Sequence, residues 1–121
     1  MFNEKNIKAI FIDVKTQEIK EVVINDFENI RELIGNDCTF FAPVMLNENN
    51  DIFCDDAGLN KNPEHFVFFK GLPNPLAGNI LIVGWNGKEA ETIDTTLSVE
   101  WAKENVVFMN KRDVQIWALS N

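Results

Sequence analysis

Apolar and polar residues along this chain change places in short runs, most of them the length of a strand. Residues 7–14 (IKAIFIDV) carry apolar side chains on both faces of a two-residue period, with Ile10 and Ile12 on one side and Ala9 and Phe11 on the other. That pattern predicts a central strand, because an edge strand or a strand with one wet face would alternate. Residues 19–24 (IKEVVI) predict a second strand, and polar residues 15–18 a turn between them. The pair reads as an antiparallel hairpin with a loop of four or five residues.

The period lengthens at Asp26. Phe27, Ile30, Leu33 and Ile34 recur at helical spacing, Asp26 is placed to cap them, Glu28 suits the first turn, and Gly35 follows the last turn. A helix over 26–34 is expected, with its apolar stripe on a sheet. Residues 38–45 (CTFFAPVM) predict a strand in which Pro43, having no N–H, marks an edge or a bulge. A turn at 47–50, a short strand at 51–55 (DIFCD) and a strand at 65–69 (HFVFF) follow.

Residues 71–79 (GLPNPLAGN) hold two prolines and two glycines and predict a fixed loop. Asn86-Gly87 stands between 80–85 (ILIVGW) and 88–94, a strong signal for a two-residue hairpin. That register would pair Trp85 with Lys88, Val83 with Ala90 and Ile82 with Glu91. It would put Leu81, Val83, Trp85 and Ala90 on the core face, and Glu89 and Glu91 on the other. Ser98 is placed to cap a second helix reaching about 105, with Leu97 as its staple. Residues 106–109 (VVFM) predict a returning strand, and 111–121, with Val114, Ile116 and Trp117, a last strand or a docking tail. The fold class expected is α+β: a mostly antiparallel sheet of about five to seven strands with two short helices packed on it, in one domain over 1–121.

Composition sharpens this. The 121 residues are 45% hydrophobic, and ten Phe and three Trp stand beside no Tyr. Most rings are therefore expected in packing, since Phe has no polar handle. Eleven basic against nineteen acidic residues leave a net charge of −8, which argues against phosphate backbones and anionic membranes and for a basic protein partner. Residues 1–8 are polar and lack the regions of a secretory leader, so Cys38 and Cys54 are expected as reduced thiols in a cytosol.

Candidate chemistry is sparse. Asp55-Asp56 with Gly58 lacks calcium-loop spacing and reads as a solvated turn. His65, the single histidine, could pair with Cys54 as base and nucleophile, but no third group is evident. One His and two Cys do not complete a zinc site. Neither metal nor cofactor is expected, and no catalytic residue is assigned. A ligand, if there is one, is expected at the 71–79 loop beside Trp85, with Lys70, Gly71, Pro73, Pro75 and Gly78 as its other residues. Glu89, Glu91 and Asp94 form an acidic hairpin suited to a basic partner.

The runs IKAIFID, EVVINDFENIRELIG, CDDAGLNKNP, PLAGNILIVG and TLSVEWAKENVVF together resemble a family of short proteins of bacteriophages, plasmids and conjugative elements, domain of unknown function 3846. The resemblance covers about 7–108 and leaves 109–121 outside. It implies a mobile-element origin, the cytoplasm of a bacterial host and an association with anti-restriction accessory genes; no catalytic residue comes with it. The expected function is a non-enzymatic protein-interaction module, with counter-defence as one such role. The alternative is a protein that binds or sequesters a small molecule or nucleotide. A homodimer is compatible with either.

Overall fold

The computed structural model describes residues 6–35, 41–55 and 58–120. Cys38, Thr39, Phe40, Asp56, Ala57 and Asn121, named in the expectations above, lie outside the described residues, as does the side chain of Phe27. The chain runs β1 (Ile7–Asp13), β2 (Glu18–Ile24), α1 (Phe27–Ile34), β3 (Phe41–Asn47), β4 (Asn50–Asp55), a short 3-10 turn (Gly58–Lys61), β5 (His65–Phe69), β6 (Leu76–Ala77), β7 (Ile80–Asn86), β8 (Glu91–Ile93), α2 (Val99–Asn105), β9 (Val106–Asn110) and α3 (Lys111–Ser120). The larger sheet has six strands in the order β2-β1-β7-β4-β3, with β8 beside the far end of β7. A smaller sheet has the order β6-β5-β9. Every pairing among the described residues is antiparallel.

The α+β class and the mostly antiparallel sheet are as expected from the pattern. The second sheet and α3 are additions to it.

β1 is central, and its two faces feed two cores. Ala9 and Phe11 join Ile24, Phe53, Leu81 and Val83 beneath Ile30 and Ile34 of α1. Ile10 and Ile12 join Ile52, Ile80 and Ile82 against Val67 and Phe69 of the small sheet and Ala102 of α2. The molecule is thus α1, the six-stranded sheet, then the small sheet with α2. Ile30 is wholly buried, and burying such a side chain stabilises by about 1.5–3 kcal/mol. α3 lies against β9 and β5, where the Trp117 and Phe68 rings meet at 6.1 Å.

Caps end the helices where the sequence places them. Asp26 accepts from the Asn29 N–H at 2.9 Å, and Ser98 from the Trp101 N–H at 3.0 Å. β3 is the sheet edge that Pro43 requires, and a register shift falls between Met45 and Asn47.

Three expectations are corrected. The β7–β8 connection is a four-residue loop, 87–90, and Trp85 pairs with Thr92 instead of Lys88. The Asn86 carboxamide accepts the N–H groups of Lys88 and Glu89, so Asn86 ends the strand and opens the turn. Ala90 is therefore an exposed loop residue, and β7 is buried on both faces. The β1–β2 loop is built alike: Asp13 accepts from Lys15 and Thr16, and Gln17 has φ 61° where Ala90 has φ 52°.

Residues 111–120 are not a strand but a helix, docked on β9 and β5. Asn110 and Asp113 cap one another through backbone N–H bonds of 2.8 and 2.9 Å and start α3. Residues 71–79 are not all loop either, because Leu76–Ala77 adds β6 to β5.

The left-handed backbone at Ala90 favours glycine. Ala90→Gly is expected to stabilise by about 0.5–1 kcal/mol, read as a rise in the thermal midpoint. A fall would show that the loop tolerates a side chain there without strain.

Candidate functional site

The residues opposite one another in antiparallel strands share a face, so register places side chains. Met45 on β3 is opposite Asp51 on β4, and Asp51 is opposite Val83 on β7. One step along, Pro43, Phe53 and Leu81 form the next row. This is the α1 face of the large sheet. Ile30 and Ile34 cover Phe53, Leu81 and Val83, while Pro43 is exposed and Met45 is 73% exposed.

Beyond the helix, a hollow of about 500 Å³ is lined by Pro43, Met45, Asn47, Glu48, Asp51, Trp85 and Gly87. Its floor and walls are an apolar set from two strands, Pro43 and Met45 from β3 and Trp85 from the end of β7, with Asp51 of β4 between them. The β3–β4 turn contributes Asn47 and Glu48, and the amide of Trp85 binds the Asn49 carbonyl at 2.8 Å, which ties that turn to β7.

Asp51 stands half-buried in this hollow. Burial raises its pKa above the ordinary 3.8, because an apolar surrounding disfavours the charged form. Its carboxylate makes no hydrogen bond or ion pair among the described residues. The lining holds two acids and no Lys, Arg or His. Such a surface can take the stem of a long side chain on Met45, Pro43 and Trp85, and a positive head on Asp51 with Glu48 beside it.

The raised pKa has a measurable consequence. The folded state holds the Asp51 proton more tightly than the unfolded chain does. The cost of ionising it in the fold is absent below about pH 3.8 and complete once pH passes the folded pKa. Asp51→Asn is therefore expected to be more stable than the wild type at pH 7, with the gain shrinking toward zero as pH falls to 4. Thermal midpoints of both proteins across that range test this. A gain that does not change with pH would remove the assignment.

The sequence-derived sites do not converge. Trp85 is at the far end of β7 from the 71–79 loop, which leads into Ile80. Five strand residues separate them, about 17 Å. The Lys70 ammonium binds the Glu104 carbonyl at 2.9 Å, and its amide binds the Asn105 carbonyl. Lys70 thus satisfies the C-terminal end of α2. Gly71 and Gly78 take φ 97° and 82°, and Pro73 is exposed. Gly78 lines a hollow of about 140 Å³ with Asp55 and Lys61, and Pro75 one of about 170 Å³ with Cys54.

Glu89 is exposed in the β7–β8 loop, and Glu91 is opposite Asn86. The Asp94 carboxylate accepts the Lys8 N–H at 2.8 Å, a bond within the fold. Asp55 pairs with Lys61 at 2.6 Å. Cys54 is buried with its thiol toward the Ala42 carbonyl, whereas His65 is exposed at the start of β5. No group of three or more His, Cys, Asp or Glu that could hold a metal occurs among the described residues. No helix among them is long and apolar enough to cross a membrane.

Sequence reasoning missed Asp51 and Met45. A signal was present: Asp51 is in phase with Phe53, a core position, so a carboxylate occupies the core-facing period of a short strand.

The fold and hollow define an α+β protein with two antiparallel sheets and an open, acidic apolar recess on a sheet face. The chain belongs to the family described as Domain of unknown function (DUF3846), whose model matches residues 7–105. It is similar to the uncharacterized protein y4iR of Sinorhizobium fredii, 28% identical over 88 residues, or 70% of this chain and 53% of that protein. The chain thus spans about half the length of the curated relative it matches. No solved structure matches it.

Proposed function

We propose that this chain is a non-enzymatic protein-interaction module whose partner presents basic side chains. It acts as an accessory factor of a mobile genetic element in the bacterial cytoplasm. The observation that carries the reading is Asp51, a carboxylate held in the Pro43, Met45 and Trp85 hollow where burial disfavours its charge. A charge that costs stability and finds no partner among the described residues marks a surface kept for something else. The net charge of −8 points the same way, since it draws basic surfaces and repels phosphate.

The nucleotide-sequestering alternative has less support. The two hollows beside the 71–79 loop, about 140 and 170 Å³, are smaller than ligand pockets of roughly 300–1,000 Å³. Lys70 is committed to α2.

The test is affinity capture from bacterial host lysate with the wild type and with a folded Glu48→Lys/Asp51→Lys variant. A protein held by the wild type is expected to be lost from the variant, and to be released as salt rises to about 0.5 M. Equal capture by both, or no capture at all, overturns the reading.

A further inference from the structure

We propose that the hollow is a receptor for a single arginine side chain of the partner protein, with the guanidinium on Asp51 and the stem between Met45 and Trp85. This rests on the interaction reading above and names the group recognised.

Charge complementarity is the first argument. Two carboxylates, Glu48 and Asp51, line the hollow with no cation among the lining residues. Asp51 has no side-chain partner among the described residues, so an incoming donor would meet free lone pairs. Charge-assisted hydrogen bonds to such a carboxylate are roughly twice as strong as neutral ones.

The apolar walls select arginine over lysine. A lysine ammonium is a compact, strongly hydrated charge, and bringing it among Pro43, Met45 and Trp85 would strip water that Asp51 alone replaces poorly. A guanidinium is weakly hydrated, is planar, stacks on an indole and offers a fork to a carboxylate.

The site's place in the fold indicates a protein as the source. The hollow is on an open sheet face beside edge strand β3, with exposed Pro43, Met45, Asn47, Glu48 and Gly87 around it. A side chain projecting from another surface reaches it without passing a narrow mouth.

The experiment uses the full chain labelled with ¹⁵N. The probe is a blocked pentapeptide, Gly-Ala-Arg-Ala-Gly. Its citrulline and lysine counterparts and free arginine amide are the comparison arms. The arginine peptide is expected to give saturable shifts at the Trp85 indole N–H and the Met45 and Asp51 amides. Its affinity should exceed that of the citrulline peptide by about tenfold or more, and Asp51→Asn should abolish the difference.

Absence of saturation, equal binding of the citrulline peptide, or unchanged binding to Asp51→Asn overturns the proposal. Equal binding of the lysine peptide overturns the choice of arginine. Tighter binding of free arginine amide than of the peptide overturns the protein source in favour of a small guanidino ligand. Capture of a partner that depends on Glu48 and Asp51, with no response to the arginine peptide, would leave the interaction reading standing and remove this one. Trp85→Phe, which keeps the packed ring, is the second variant and is expected to weaken the arginine peptide while leaving the thermal midpoint nearly unchanged.

Discussion

Gly84→Ala is expected to leave the protein largely unfolded, or to lower its thermal midpoint by roughly 10 °C or more. Gly84 is buried in the middle of the large sheet, opposite Asn50 on one side and Ile93 on the other. A Cβ there would run into the Asp94 carbonyl oxygen, with the Asp94 carbonyl carbon at 2.7 Å and the Ile93 oxygen at 2.9 Å. All three are backbone atoms, so no side chain can swing aside. Nor can the crossing segment lift. The Asp94 carboxylate accepts the Lys8 N–H, and the Thr95 N–H binds the Lys8 carbonyl at 3.0 Å.

These bonds hold residues 94–95 where β1 would otherwise have continued beside β7. Overpacking a rigid core costs about 1–3 kcal/mol or more, and a backbone clash belongs at the upper end. The whole stability of a domain is only about 5–15 kcal/mol. Circular dichroism on heating is the measurement. A loss below about 1 kcal/mol would mean that the crossing yields.

Asn50→Ala is expected to cost about 2–4 kcal/mol. Asn50 is 1% exposed, and its side chain is spent in full. Its carboxamide oxygen accepts the Thr95 hydroxyl at 2.6 Å and the Thr96 N–H at 3.2 Å. Its amide donates to the Thr96 hydroxyl at 2.8 Å and to Asn47 at 3.2 Å. The Thr95 hydroxyl in turn accepts the Leu97 N–H. One side chain thus ties the β3–β4 turn to the segment that leads into α2.

Removing it strands the buried Thr95 hydroxyl and the Thr96 amide, and an unsatisfied buried group costs more than the net worth of the bond it made. Urea unfolding should show a lower midpoint with an unchanged slope, and exchange at the Thr96 and Leu97 amides should accelerate. A midpoint within error of the wild type would show that water replaces the carboxamide.

The same β3–β4 turn borders the acidic hollow, through Asn47 and Glu48. Stability and the proposed recognition therefore share a frame but use different atoms. Asn50 has every bond made within the fold, whereas the Asp51 carboxylate has none among the described residues. Neighbours in sequence face opposite sides of the sheet, one toward the core network and one toward the hollow. This is why Asp51→Asn is expected to stabilise and Asn50→Ala to destabilise.

Local chemistry determined much of the architecture. The spacing of Ile30, Leu33 and Ile34 behind Asp26, and the Ser98 cap, specify α1 and α2 within a few residues, because a cap and its turn are neighbours in the chain. The two-faced run at 7–14 specifies a central strand, because apolar side chains on both faces need a layer on each. Pro43 specifies the edge, because it cannot donate to a ladder.

Tertiary structure decided the rest. Asn86-Gly87 admits a two-residue hairpin, yet Asn86 uses its side chain to open a four-residue loop. β8 then pairs with the end of β7 because β1 already occupies the residues nearer its start. Residues 111–120 have too weak a pattern to choose between strand and helix. The Asn110–Asp113 caps and the docking of Trp117 on Phe68 choose for them. The hollow depends on three strands brought into register by pairings that span much of the chain, from Pro43 to Trp85. No window of sequence contains Met45, Asp51 and Trp85 as neighbours. Only the sheet, by setting them side by side beyond the reach of α1, turns an ordinary strand aspartate into a half-buried charge with no partner among the described residues.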